Sequence, residues 1–543
     1  MVVRIKLLYL NIVGLLVGTV FFAFSLSPSL LPRPFFIQGI LSGLSFSAGY
    51  ALGVAAVALW GYLQLPVLKM RAALITQAVA AAFCILVAII FLWHATHWQN
   101  ALRDLMGMEE SAGVQPFLLG LIALAVFLAL LFLARLFRWV FQQFSDRLNR
   151  FVPRRVSHLV GIVVAVALFW SVIDGVLIST TLRFADRSFQ QLDALIQDDL
   201  PRPTRPQQVG SAASLINWED LGHQGRIFVA GGPTAEDLTS FFGAPKPAPI
   251  RVYVGLNSAP TAQQRARLAL DELKRVGAFD RSVLLLVTPT GTGWVNEESQ
   301  TSVEYLHRGD IATVSAQYSY LNSVLALLTE GAYGAEMARE LFMHIYGYWR
   351  TLPREARPRL YLTGLSLGAL NSDLSFDLYD IIDDPFDGAL WSGPPYRMAT
   401  WQSITAQRDA DSPAWLPQFR GGSVVRFMNQ DGGLLHGDVP WGGFRIAFLQ
   451  YATDPVTFFS PHIAWREPEW MREPRGPDVS PHLRWFPIVT MLQLLADMAL
   501  GVAPVGFGHK YATAHYIDAW LGLTEPAGWT EGDVSRLKAH LDF

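Results

Sequence analysis

Gly364-Leu365-Ser366-Leu367-Gly368 sets a serine between two glycines, each two residues away. The run before it, "RLYLTG" (359–364), is short, apolar and β-rich, and "ALNSDLSFDLYDII" after it has helical character. A serine on a tight turn between a strand and a helix is lifted clear of the sheet edge, and glycine fits on either side because it has no Cβ. Such a serine could attack a carbonyl carbon, with the backbone N–H of Leu367 directed at the oxygen that becomes negative. The simpler alternative is a serine in a structural turn.

A serine hydroxyl is a weak nucleophile at neutral pH and needs a base, which a carboxylate in turn orients. On a strand–turn–helix elbow the acid and then the histidine follow the serine in the chain. His509 sits in a glycine-rich loop before an amphipathic helix, "PVGFGHKYATAHYIDAWLG", which suits a base reaching over the serine. His462, in "FFSPHIAW", is the second choice, and His515 falls within the helix. For the acid, Asp454 in "LQYATDPVTFF" stands just past a strand, and Asp431 in "FMNQDGG", one strand earlier, competes with it. A solvated turn aspartate is the bland alternative for either. The second oxyanion donor would come from an earlier strand-to-helix loop. "GLNSAPT" offers Asn257 and Ser258, and "TPTGTGW" offers Gly291 and Gly293; the residues do not choose between them. The second loop lacks the Gly-Lys-Ser/Thr ending of a phosphate-binding loop, which argues against a nucleotide site.

These residues need a scaffold. From about residue 225 short β-rich runs alternate with helical stretches. The expected strands are "RIFVA" (226–230), "IRVYVGL" (250–256), "SVLLLVT" (282–288), "RLYLTG" (359–364), "GALWSG" (388–393), "VVRFMN" (424–429) and "RIAFLQYA" (445–452). Near-continuous apolar strands separated by helices such as "TAQQRARLALDELKRVG" predict a mostly parallel sheet covered on both faces, an α/β domain over 225–543. Ahead of it, 183–224 reads as an amphipathic stem and a Pro-rich linker.

The chain is 51% hydrophobic and only 16% charged, and the apolar excess is concentrated before about residue 182. A bilayer crossing takes about 20 mostly apolar residues. Five stretches qualify, at roughly 7–30, 36–62, 72–95, 116–139 and 158–181, giving an all-α transmembrane helix bundle over 1–182. The second is rich in Gly, Ser and Ala, the composition of a helix packed closely inside a bundle. Ten Lys/Arg residues flank the spans on the N-terminal side of the membrane against two, Arg33 and Arg103, on the other. That bias predicts a cytoplasmic N-terminus and, with five spans, an extracytoplasmic C-terminal domain. Asp174 in the fifth span is read as hydrogen-bonded within the bundle, and His94 and His97 as interfacial residues beside Trp93 and Trp98. The apolar run "LRWFPIVTMLQLLADMALGVAPVGF" before His509 reads as a buried helix or as a membrane-facing lid, interrupted as a span by Pro487 and Asp497.

A net charge of −3 without a basic run excludes a nucleic-acid partner. Cys84 is the only cysteine, so disulfides and cysteine-based zinc sites are excluded. No metal or organic cofactor is expected, and no oligomeric state is assigned.

The span-rich front together with "RVYVGLNSA", "VTPTGTGWV", "TGLSLGA", "YATDPV" and "GHKY" resembles a bacterial family of membrane-anchored α/β-hydrolases. The resemblance extends over essentially the whole chain. It implies an α/β-hydrolase fold behind a multi-span part, and a serine triad on Ser366, Asp454 and His509. It implies no substrate, although some membrane α/β-hydrolases of this general kind deacylate aminoacylated phospholipids. The expectation is a serine esterase or lipase-like enzyme of the cytoplasmic membrane, acting on a lipid or lipid-linked ester. Two alternatives stand beside it: an acyltransferase using the same site with an acceptor other than water, and a non-catalytic membrane scaffold on a retired hydrolase fold.

Overall fold

The computed structural model describes residues 10–66, 70–111, 115–148, 163, 200–320, 331–434 and 437–541. The chain divides into two compact units. One comprises Met1–Thr181 with Phe459–Pro504, the other Leu182–Phe458 with Val505–Phe543. The expected fifth span, Asp174 and the stem up to residue 199 lie outside the described residues.

In the first unit the N-terminal helices are α1 (Ile12–Ser25), α2 (Phe35–Tyr62), α3 (Met70–Leu105) and α4 (Pro116–Leu148). Among the described residues three helices are long and apolar enough to cross a membrane: Phe35–Tyr62, Ile75–Leu105 and Pro116–Arg147. They match the second, third and fourth expected spans. The first expected span is a helix of 14 residues. At 1.5 Å per residue that is about 21 Å, short of a hydrocarbon core of about 30 Å. The Asn11 side chain caps its first turn by accepting from Gly14 N, and the Ser/Pro-rich run after Ser25 stops it.

Glycines let α2 approach its neighbours. A Cβ on Gly53 would lie 2.7 Å from Gly14 Cα and Val13 O of α1, and one on Gly43 would lie 2.7 Å from Ala123 O of α4. Because the obstructing atoms are backbone, neither helix can yield by turning a side chain. Gly53→Ala is therefore expected to force α1 and α2 apart and to cost about 1–3 kcal/mol, the usual range for overpacking. Thermal unfolding of the variant in detergent reads this; an unchanged midpoint would show that the helix pair is not tightly packed.

The run before His509 forms a helix, Val489–Leu500, that packs on α1 and α2. Asp497 on it is fully buried. Its carboxylate accepts from Ser29 Oγ (3.1 Å) and Leu30 N (3.1 Å) and faces the buried Arg33 guanidinium at 3.5 Å. The expected domain over 225–543 takes in this segment, which lies in the first compact unit. The polar groups at 493–497 find their partners on the N-terminal helices and the loop between them, so Phe459–Pro504 groups with that unit.

In the second unit seven strands form one sheet: β1 (Ile250–Val254), β2 (Val283–Thr288), β3 (Ile311–Ala316), β4 (Arg359–Leu365), β5 (Gly388–Ser392), β6 (Val425–Met428) and β7 (Arg445–Leu449). Their order is β1-β3-β2-β4-β5-β7-β6, and each adjacent pair is parallel. Helices cross between strands, such as Ala262–Arg275, whose start is fixed by a reciprocal Thr261–Gln264 capping box. Since all strands run one way, their C-terminal loops emerge at a single sheet edge, where open α/β sheets bind their ligands.

One strand expectation is corrected, and one strand is added. "RIFVA" is the end of a helix, Gly222–Ala230, with Gly225, Arg226, Phe228 and Val229 buried. A five-residue apolar run reads alike as a strand or a buried helix end. The strand "IATVSA" (β3) was not expected. Its Thr313 and Ser315 look polar but are fully buried, and Thr313 Oγ1 accepts from Gln300 Nε2 at 2.7 Å.

Candidate active site

Ser366 joins β4 to the helix Leu367–Asp373 and has φ 57° and ψ −121°. A non-glycine residue at positive φ is strained, and the surroundings must hold it there. Both flanking glycines are forced by close approach. A Cβ on Gly364 would lie 2.3 Å from Gly368 C, and one on Gly368 would lie 2.3 Å from Thr288 O at the end of β2. Ser366 N donates to Ser392 O of β5 at 3.0 Å, which pins the turn to the neighbouring strand. Ser366 is partly exposed between the buried Leu365 and Leu367.

The acid and base lie at the same edge. Asp454 follows β7 and is fully buried. Its Oδ1 accepts from Val456 N at 2.9 Å, the cap of the short helix Pro455–Phe458. His509 Nδ1 lies 2.8 Å from Asp454 Oδ2, and the His509 side chain is 28% exposed. An ionised carboxylate only accepts, so Nδ1 carries the proton and Nε2 keeps its lone pair free to act as a base. The His509 loop is tied down by Gly508 N donating to Thr453 Oγ1 at 3.1 Å, with Gly506 and Gly508 both at positive φ.

Gly393 links the two halves of the site. It follows Ser392, the residue bonded to Ser366 N, and its own N–H donates to Leu449 O at 2.9 Å. A Cβ there would lie 2.5 Å from His509 Cε1 and 3.1 Å from Asp454 Oδ2. The imidazole thus rests on the end of β5, one residue from the serine's backbone partner. Among the described residues no hydrogen bond joins the Ser366 hydroxyl to His509; such bonds often tighten only around bound substrate. Gly393→Ala is expected to push the ring off Asp454 and to lower kcat about 100-fold with little change in KM. Steady-state kinetics on an ester substrate checks this, and full activity would mean that His509 does not need its observed seat.

This geometry agrees with what a comparison of the sequence with known families finds. Residues 250–537 match a family model described as "Alpha/beta-hydrolase family". The chain belongs to that family. Residues 26–233 match the model described as "Alpha/beta-hydrolase family N-terminus", which takes in the apolar helices and the approach to the sheet. No curated protein and no solved structure matches the chain.

Within this α/β-hydrolase, the other candidate residues are dispersed. Asp431 is exposed in a turn after the edge strand β6, where its N–H bonds Asn429 Oδ1 at 3.0 Å. His462 is exposed in the turn Pro461–Ala464 of the first unit, with Nδ1 3.1 Å from Ser460 Oγ. His515 shares a hydrogen bond with the Tyr451 hydroxyl, and burial holds its imidazole below the ordinary histidine range. Asn257 follows β1 at the sheet edge, three strands from β4, and accepts from Tyr320 OH at 2.7 Å. Gly291 lies in the loop after β2, which pairs directly with β4. That loop is braced by Gly293 N donating to Thr290 O and by Tyr253 OH donating to Gly293 O.

One member of the cluster has no signal in the sequence reading. The Tyr511 hydroxyl donates to Asp454 Oδ2 at 2.6 Å, and its ring is buried against Tyr451. A tyrosine two residues after a histidine is common in any chain. Only the fold turns this one back onto the acid.

Proposed function

We propose that the chain is a membrane-embedded serine hydrolase that cleaves an ester through an acyl-enzyme. Ser366 Oγ attacks the ester carbonyl carbon as His509 Nε2 takes its proton, and Asp454 stabilises the imidazolium. The oxyanion is held by Leu367 N–H and by a donor in the loop after β2, at Gly291. Collapse of the tetrahedral intermediate breaks the ester C–O bond, and His509 hands its proton to the departing alkoxide. Water, deprotonated by the same ring, then releases the acid and returns Ser366 to its free form. The observation that carries this reading is the meeting, at one sheet edge, of a strained serine and a histidine bound to a fully buried aspartate.

The substrate we propose is a membrane lipid ester or another lipid-linked ester, an aminoacylated phospholipid among them. The support is the three apolar helices of membrane-crossing length, more than a tether requires. We further propose that the basic segment after α4 is cytoplasmic and that, with the fifth expected crossing beyond it, the sheet domain is extracytoplasmic. The test is a panel of glycerolipid, lysolipid and aminoacyl-phospholipid esters offered in nanodiscs to the wild-type protein, with product release followed by mass spectrometry. Turnover of a lipid ester with a transient acyl group on the protein supports the proposal. Acyl transfer to added alcohols without free acid would move it to the acyltransferase, and no turnover of any ester would contradict it.

A further inference from the structure

We infer that Tyr511 is a positioning residue of the triad, acting through Asp454 to set the geometry and basicity of His509. The inference deepens the hydrolase reading above and rests on it.

Three donors converge on one carboxylate oxygen. Asp454 Oδ2 accepts from His509 Nδ1 at 2.8 Å and from Tyr511 OH at 2.6 Å, with Thr457 Oγ1 at 3.3 Å. Oδ1 is held by Val456 N at 2.9 Å. Asp454 is sealed from water, so these donors replace its hydration. Val456 and Tyr511 approach different oxygens from different elements, and together they fix the plane of the carboxylate. His509 then finds Oδ2 in one place. Tyr511 is itself packed on both sides: its ring stacks on Tyr451 with centroids 4.4 Å apart, and it lies tilted against Tyr516 at 6.4 Å. Tyr451 OH in turn accepts from Ala512 N at 3.1 Å, closing the segment that carries His509 and Tyr511 onto the end of β7.

The electrostatic consequence has a sign. A hydroxyl donating to Oδ2 takes up part of the carboxylate's charge. What remains is available to stabilise protonated His509. Removing the hydroxyl leaves more charge for the imidazolium, so His509 should hold its proton to higher pH. The other titratable groups near the cluster do not compete for this role. Tyr451 and Tyr516 face Tyr511, His515 meets Tyr451 OH, and Lys510 is exposed. Burial and the neighbouring Asp454 charge keep the Tyr511 phenol protonated, well above its ordinary range, so it is a donor throughout the working pH range.

Tyr511→Phe keeps the ring and its stack and removes only the hydroxyl. The full-length wild type and variant, in nanodiscs, are treated with diethyl pyrocarbonate across a pH series, and ethoxycarbonylation of His509 is mapped by mass spectrometry. The reagent takes only unprotonated imidazole, so the midpoint reports His509 whether or not a substrate is known. The expected midpoint rises by about half to one pH unit in Tyr511→Phe, a roughly three- to ten-fold change in the protonation equilibrium. The acid limb of kcat/KM moves with it. An unchanged midpoint in a variant that melts like the wild type would overturn the role of Tyr511. A fluorophosphonate is run in parallel on the wild type. Failure to label Ser366 would strike the hydrolase reading itself, while labelling with an unmoved His509 midpoint would strike Tyr511 alone.

Discussion

Ser366→Ala is expected to leave a folded protein whose ester turnover is reduced by about 10³- to 10⁶-fold. The expectation rests on what the substitution removes and what it leaves. It deletes the one oxygen that forms the bond to the acyl carbon, so the covalent route closes. It leaves the His509–Asp454 pair, the backbone of the elbow and the loop after β2. Residual hydrolysis would come from water acting in the same site. Folding should be preserved, because Ser366 is partly exposed and alanine adds no atom. The φ of 57° remains unfavourable for alanine as it is for serine. Binding of an ester should survive, so KM changes little while kcat collapses. A variant that retained even a hundredth of wild-type turnover would argue for a nucleophile other than Ser366.

Asp454→Asn carries the second largest expected effect, a fall in kcat of about 10²- to 10⁴-fold together with a loss of stability. The carboxylate accepts on both oxygens: Val456 N on one, and His509 Nδ1 and Tyr511 OH on the other. An amide has only one acceptor oxygen. With that oxygen toward His509 and Tyr511, its NH₂ faces the Val456 N–H. Turned about, the NH₂ faces Nδ1 and the phenol. In the first orientation a buried donor is orphaned; in the second the imidazole is driven to carry its proton on Nε2, where it cannot accept one from Ser366. Either way a buried donor loses its partner, at a cost of about 1–3 kcal/mol. Kinetics and thermal unfolding on the same preparation test both parts. Undiminished kcat would mean that Asp454 does not set the tautomer of His509.

The contrast between what the chain announces and what it conceals follows the range of the interactions. The elbow is local. Two glycines at fixed offsets, an apolar run before and a helix after are all within fifteen residues, while β2 and β5 hold the strained Ser366 backbone in place. Asp454 and His509 were also marked locally, one by its place after a strand and the other by its glycine-rich loop, and the structure brings them within 2.8 Å. The loop after β2 could not be chosen over the loop after β1 because the choice depends on strand order. β3 slips between β1 and β2, leaving β2 beside β4 and Asn257 at the far edge. β3 itself is hidden because Thr313 and Ser315 read as polar although both are fully buried, with Thr313 Oγ1 accepting from Gln300 Nε2 inside the core. The grouping of 459–504 with the N-terminal helices has no local signal: Arg33 and Asp497 are 464 positions apart, and only the fold makes them a pair. Tyr511 sits next to the motif in sequence, yet its partner is 57 residues away.

The most direct measurement is covalent trapping. The full-length protein in lipid nanodiscs is incubated with a fluorophosphonate, and the modified peptide is mapped by mass spectrometry. In a working site Ser366 Oγ displaces fluoride from phosphorus and stays attached, with His509 taking the proton. The account predicts an adduct on Ser366 that forms at least about a hundred-fold more slowly in His509→Ala. An adduct on another residue, or a Ser366 adduct that forms as fast without His509, would contradict it.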